Sequence, residues 1–217
     1  EVTEPETDPT PEELGYSRFT LAGLGYADGT YDGNVVRTAE VAGGIDGKYL
    51  DVDVAFGTTV DGSSGIKIGN KGATSWDGLR VGLTAEGNLI VQSMGSPATK
   101  YTFTAEEAGV NSFTENFNLK FAVKYAPIDD TWTNVTINMW INDKLIMNNV
   151  VTGGIKGMGN FAGMLTWTGA SVTIASKPTP EELGYTRITL AGLGYADGTY
   201  NGNAVRTAEV AGGIDGK

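Results

Sequence analysis

The chain has 217 residues, with 32 glycines, no cysteine, no histidine and a formal net charge of −11. Without Cys or His it has no disulfides, no thiolate chemistry, none of the usual zinc sites and no histidine-based triad. The acidic balance and the absence of a basic run argue against nucleic acid as a partner. No apolar run reaches the length of a membrane span.

Residues 1–13, EVTEPETDPTPEE, read as an acidic, proline-punctuated linker, and Glu1 could follow a removed secretion leader. Residues 18–24, RFTLAGL, alternate as a strand. Asp28-Gly29 and Asp32-Gly33 are turn dipeptides, 35–41 a strand, and Asp46-Gly47 a tight hairpin turn. Residues 49–56 form a clear strand, with Leu50, Val52, Val54 and Phe56 on one face. Shorter strands are expected over 65–70, 79–83, 88–93 and 100–104, and residues 105–110 give the only helical turn. Residues 116–125 alternate again. In 133–147, Val135, Ile137, Met139 and Ile141 face one way, while Thr136, Asn138, Trp140 and Asn142 face the other. Asn142-Asp143 turns that strand back on itself. Residues 153–163 read as a glycine-rich loop, and 165–167 with 171–175 close the unit. Many short strands between Gly, Asp and Asn turns predict an all-β, antiparallel β-sandwich.

One period overrides every local signal. Residues 9–48 recur at 178–217, and only four of the aligned positions differ: Ser17/Thr186, Phe19/Ile188, Asp32/Asn201 and Val35/Ala204. The expected organisation is a linker over 1–13, a β-sandwich module over 14–176 and a short linker over 177–180. Residues 181–217 then open a second, partial repeat that duplicates 12–48. One sandwich has room for one copy. The N-terminal copy is expected to dock locally. The other is left mobile, or docks on another molecule's sandwich as in domain swapping; the rival arrangement docks 188–217 and leaves the N-terminal copy free.

The strands in GIKIG, WDGLRVGLTAEGNLIVQ, FNLKFAVKYA, TNVTINMWINDKLI and MLTWTGASVTIAS resemble the concanavalin A-like (laminin-G-like) jelly-roll superfamily. That family's recurring V-x-I-x-(aromatic or apolar)-x-I-N-(Gly)-K-L strand is matched from Val135 to Leu145, with Asp143 where glycine is usual. The resemblance implies a jelly roll, in a superfamily that holds lectins, sugar-binding modules, adhesion domains and glycosidases. The E-x-D-x-x-E strand of the family's glucanases is absent. Asp51 and Asp53 are the nearest carboxylate pair, and read as a solvated strand face beside turns.

A non-catalytic carbohydrate-binding module of a secreted or cell-surface bacterial tandem-repeat protein is therefore expected, with a glycan or polysaccharide as partner. The alternative is a structural or adhesive repeat that assembles head to tail through neighbouring repeats. Flat aromatic rings flanked by amides suit a pyranose, which selects Trp140 with Asn138 and Asn142, then Trp76, Trp132 and Tyr31. Trp167 is expected in the core. No cofactor is expected. A structural Ca²⁺ would draw on Asp28, Asp32 and Asp46, although their spacing fits no calcium loop. Exposure of Trp140 separates the two functions: an open groove favours the glycan, and a covered ring favours the stalk.

Overall fold

A computed structural model describes residues 7–57, 64–70, 77–93 and 100–175, together with 188, 191–195, 207, 209–210 and 213–214. The chain divides into two compact units, Glu1–Ser176 and Lys177–Lys217. The first is an all-β sandwich of two sheets.

One sheet runs in the order β11 (Lys144–Val151), β10 (Trp132–Ile141), β9 (Phe117–Pro127), β4 (Lys48–Phe56), β14 (Ser171–Ala175), β2 (Gly29–Asp32). Two short strands join it: β1 (Ser17–Phe19) lies parallel on β4, and β12 (Ile155–Lys156) pairs with β10. The other sheet runs β3 (Val35–Glu40), β13 (Met158–Thr166), β5 (Gly65–Asn70), β6 (Leu79–Leu83), β7 (Leu89–Ser93), β8 (Lys100–Phe103). Among the described residues, every strand pair apart from β1 on β4 is antiparallel.

The strand period of two builds the core. Leu50, Val52, Val54 and Phe56 from β4 join Leu119, Phe121 and Val123 from β9, and Val135, Ile137, Met139 and Ile141 from β10. Ile66, Ile68, Leu79, Val81, Leu89 and Val91 come from the opposite sheet. Phe113 stacks edge-on against Phe117 at 5.3 Å, and Phe117 lies 6.0 Å from Phe56. The helical turn α1 (Ala105–Ala108) forms where expected: Thr104 and Glu107 make a capping box, and Gly109 closes it at φ +73°.

Four expectations are corrected. Residues 18–24 are not one strand, because Thr20 turns the chain: its Oγ1 accepts from Gly23 N at 3.0 Å, and Ala22–Leu24 is a 3₁₀ turn ended by Gly25 at φ +88°. The Asp28–Asp32 stretch, read as turns alone, contains β2. Asp46-Gly47 is not a hairpin turn, since β3 and β4 lie in different sheets and 41–47 crosses between them. Residues 153–163 are not a loop but carry β12 and much of β13. Glycine serves there as an absence of bulk: a Cβ on Gly163 would sit 2.0 Å from the Arg37 carbonyl oxygen and 2.7 Å from the Tyr26 hydroxyl.

The copy at 9–48 supplies the periphery of this unit. It gives β2 at one edge of the first sheet, β3 at one edge of the second, and β1 laid on β4. Leu21, Val41 and Ile45 enter the core from it.

In the second unit, the described residues repeat the local turns of the first. Ala191–Leu193 is a 3₁₀ turn followed by Gly194 at φ +86°, the counterpart of Ala22–Leu24 and Gly25. Gly213 N donates to the Val210 carbonyl at 2.8 Å, as Gly44 N does to Val41 at 2.9 Å. These turns are written in the local sequence. Burial is not: Ile45 is fully buried, whereas Ile214, its counterpart, is 71% exposed.

Candidate functional site

The face of β4, β9 and β10 that points away from the core carries a second apolar cluster, Tyr16, Tyr49, Ala122 and Trp140, with Leu14 and Leu145 packed against it. Strand register sets the spacing. Tyr49 pairs with Ala122, and Ala122 with Asn138, so the three form a row across the strands. Trp140 pairs with Lys120 on one side and Leu145 on the other, one step along the same face.

Residues 8–16 lie across these rows. Thr10 caps a single turn that begins at Pro11: Glu13 Oε2 accepts from Thr10 N at 2.8 Å, and Glu13 N donates to Thr10 Oγ1 at 3.3 Å. Gly15, at φ +83°, ends the turn. Gly15 N donates to the Glu12 carbonyl and Tyr16 N to the Pro11 carbonyl, each at 2.9 Å, which is a Schellman closure. The closure brings Pro11 and Tyr16, both buried, onto the same side.

Polar contacts fix the segment to the sheet. Trp140 Nε1 donates to the Pro9 carbonyl at 2.8 Å. Asn138 Nδ2 donates to the Tyr16 hydroxyl at 2.8 Å, and the Tyr49 hydroxyl donates to Glu12 Oε1. Leu145 N donates to Asp8 Oδ2 at 2.9 Å. Lys124 Nζ stands over the Tyr16 ring, 5.5 Å from its centre. Beyond the segment, Arg18 Nε bonds Asp51 Oδ2 at 2.8 Å. Burial raises the Tyr49 and Tyr16 hydroxyls above the usual tyrosine range; the bond to Glu12 adds to the rise at Tyr49, and the bond from Asn138 opposes it at Tyr16.

Trp140 is therefore 1% exposed and Asn138 fully buried. The ring lies on the outward face, and of the two outcomes, an open groove or a covered ring, the structure has the covered one, with 9–16 as the cover. A sugar ring reaches Trp140 only if 9–16 leaves. Asn142 is exposed in the β10–β11 turn, where its Oδ1 accepts from Asn118 N at 2.9 Å. Trp132, half-buried, starts β10, eight residues from Trp140, and that separation is about 26 Å along a strand. Tyr31 sits on β2, with β14, β4 and β9 between it and β10. Its hydroxyl donates to the Ala27 carbonyl at 2.7 Å, and its ring meets Tyr26 edge-on and Arg37 at 5.4 Å. Trp76 lies outside the described residues. Among the described members of the sequence-selected set, only Trp140, Asn138 and Asn142 come together, on the β10 arm. Trp167 is half-buried rather than core.

The carboxylates are occupied by structure. Asn118 Nδ2 bridges Asp51 Oδ1 and Asp53 Oδ1 at 2.8 and 2.9 Å, which ties the pair down. Asp46 Oδ1 accepts from Tyr125 N at 2.7 Å. Asp28 and Asp32 are exposed near β2, apart from Asp46. Among the described residues, no group of three or more carboxylates is placed to hold a metal ion.

Two features escaped sequence reasoning. Lys67 and Arg80, paired across β5 and β6, are 1% and 2% exposed, and burial followed by the Arg80 charge pushes Lys67 down to about 8. An open cleft beside the β12–β13 junction is lined by Glu40, Asp77, Asp130, Thr131, Lys156 and Asn160, among others. Neither a protein-family model nor a curated protein matches this sequence.

Proposed function

We propose that the chain is a non-catalytic structural repeat, secreted or at the cell surface, whose modules join head to tail through the segment 9–48 and its copy 178–217. The single observation that carries this reading is the place of 9–48 in the fold. It forms one edge strand of each sheet and covers the aromatic face of one, so it is a closing piece laid on a sandwich built from 49–176. The residues of the closing piece described as buried are all kept in the copy: Pro11, Tyr16, Thr20, Leu21, Val41 and Ile45 recur as Pro180, Tyr185, Thr189, Leu190, Val210 and Ile214. Three of the four differences fall on residues that are not buried, Ser17, Phe19 and Asp32. Edge strands are the natural acceptors of a strand from another chain. The concanavalin A-like resemblance supports a module of this kind but adds no ligand.

The test uses residues 48–217, which keep the sandwich and the second copy but lose the first. Light scattering across a concentration series is expected to show mass rising above that of one chain. A single-chain mass at every concentration would refute head-to-tail joining.

Carbohydrate binding is the second reading, favoured by the open polar cleft of Glu40, Asp130 and Asn160, which reaches Thr131 beside Trp132 in the chain. A glycan array over plant, mucin and algal polysaccharides tests it. Binding that Trp132→Ala abolishes supports this reading, and silence across the array removes it.

A further inference from the structure

We infer that the outer face centred on Trp140 is a peptide-recognition site, and that its ligand is the octapeptide PTPEELGY presented by a second copy of this chain. The inference rests on the reading of the chain as an assembling repeat for the source of its ligand. The docking itself involves no exchange of strands.

The ligand's turn is closed by bonds within the peptide itself, the Thr10–Glu13 capping box and the Gly15 closure. Such bonds offset part of the entropy lost when a peptide is ordered on binding. The same Thr-x-Glu-Glu-x-Gly-apolar pattern builds the capped turn at 104–110 elsewhere in this chain, with the same pair of closing bonds: Gly109 N to the Glu106 carbonyl, and Val110 N to the Ala105 carbonyl.

The receptor reads specific positions of the turn. Trp140 Nε1 takes a backbone carbonyl at the first proline, Tyr49 takes the first glutamate, and Asn138 takes the tyrosine hydroxyl in a fully buried bond. Ala122 leaves room beneath the tyrosine ring, and Lys124 covers it. A buried amide aimed at one hydroxyl rejects a ligand that lacks it, because the amide is then left short of a partner.

The second copy carries the identical eight residues at 178–185. Only the contact from Leu145 N changes, because Lys177 stands where the first copy has Asp8. The ligand of this face is thus encoded twice in one chain, and the resident copy holds the site in cis at a high effective concentration.

The experiment uses the full 217-residue chain carrying Tyr16→Ala and Tyr185→Ala, which disables both resident motifs. A fluorescein-labelled synthetic TDPTPEELGYSR is titrated and followed by anisotropy. Saturable binding is expected, about 100-fold tighter than to the unaltered chain, where the resident motif competes. A peptide with its tyrosine changed to alanine, or a receptor with Trp140→Phe added, should lose about tenfold or more. No saturation by about 1 mM peptide in a variant with a native circular dichroism spectrum would overturn the inference, and so would indifference to Trp140→Phe. Should the double variant fail to fold, hydrogen exchange on the unaltered chain decides. Excess peptide is expected to speed exchange at residues 10–16, and unchanged exchange overturns the proposal. Peptide binding by a chain that never exceeds single-chain mass would sink the head-to-tail reading, and with it the second copy as the source of the ligand, while recognition of PTPEELGY by this face would stand. The reverse pattern would sink this one alone.

Discussion

Tyr16→Ala is the perturbation that most sharply separates a closing piece with a duplicate from an ordinary N-terminal extension. Tyr16 is 5% exposed, its hydroxyl accepts the Asn138 amide at 2.8 Å, and Lys124 sits over its ring. Truncating a buried aromatic residue costs about 3–5 kcal/mol. Leaving the Asn138 donor short of its better partner contributes about 1 kcal/mol within that range; its other acceptor, Asn149 Oδ1, is at 3.3 Å. In a chain ending at Ser176 the whole cost should appear in urea unfolding. In the 217-residue chain Tyr185 offers an intact replacement, so the sandwich can exchange its closing piece and the loss is capped at the free-energy gap between the two arrangements. The assay compares four proteins: each chain length with and without Tyr16→Ala. A smaller loss in the long chain, restored to full size by adding Tyr185→Ala, is the expected result. An equal loss in both lengths would refute interchange of the two copies.

Gly163→Ala should cost about 3 kcal/mol, because its Cβ meets the Arg37 carbonyl at 2.0 Å across the β3–β13 pair; thermal melting measures the loss, and a shift within error contradicts the close approach. The pH dependence follows from two opposed groups. Burial pushes Lys67 down to about 8 from the ordinary 10.5, so the folded state binds fewer protons between those values and stability rises with pH there, by at most about 1.4 kcal/mol per unit. The hydroxyls of Tyr16, Tyr26, Tyr49 and Tyr125 are held above their ordinary 10.0, so their contribution is complete below pH 10 and is lost as pH rises past it. Urea midpoints from pH 7 to 11 should therefore rise and then fall. Lys67→Met should abolish the rise alone, and a monotonic fall in the unaltered chain would contradict the assignment.

The core was legible where a period of two runs long: the inward faces of β4, β9 and β10 follow directly from the alternation of Leu50–Phe56, Phe117–Val123 and Val135–Ile141, whereas the short run 18–24 misled. Capped turns were legible as well, since Thr104, Glu107 and Gly109 act within a few residues of each other. What sequence hid was non-local. Gly163 is in a strand because a neighbouring carbonyl needs its space, and that carbonyl is 126 positions away in the chain. Trp140 shows the same limit more pointedly. Alternation placed it on the outer face, beside Asn138. Only tertiary structure could show that Pro9 and Tyr16, more than a hundred residues earlier, take up its polar and apolar surfaces. The repeat itself held the missing clue, because PTPEELGY recurs as strictly as the strands do, and a linker has no reason to be copied residue for residue.

The claim that the two copies are interchangeable closing pieces is tested most directly by comparing residues 48–176 with residues 48–217 by circular dichroism and thermal melting. Residues 48–176 are expected to lack a cooperative transition, being stripped of β1, β2, β3 and the buried Leu21, Val41 and Ile45. Residues 48–217 are expected to regain a native β spectrum and a cooperative melt, since 178–217 carries nearly the same sequence as 9–48. A 48–217 chain as unfolded as 48–176 would contradict the claim, and so would a 48–176 chain that folds unaided.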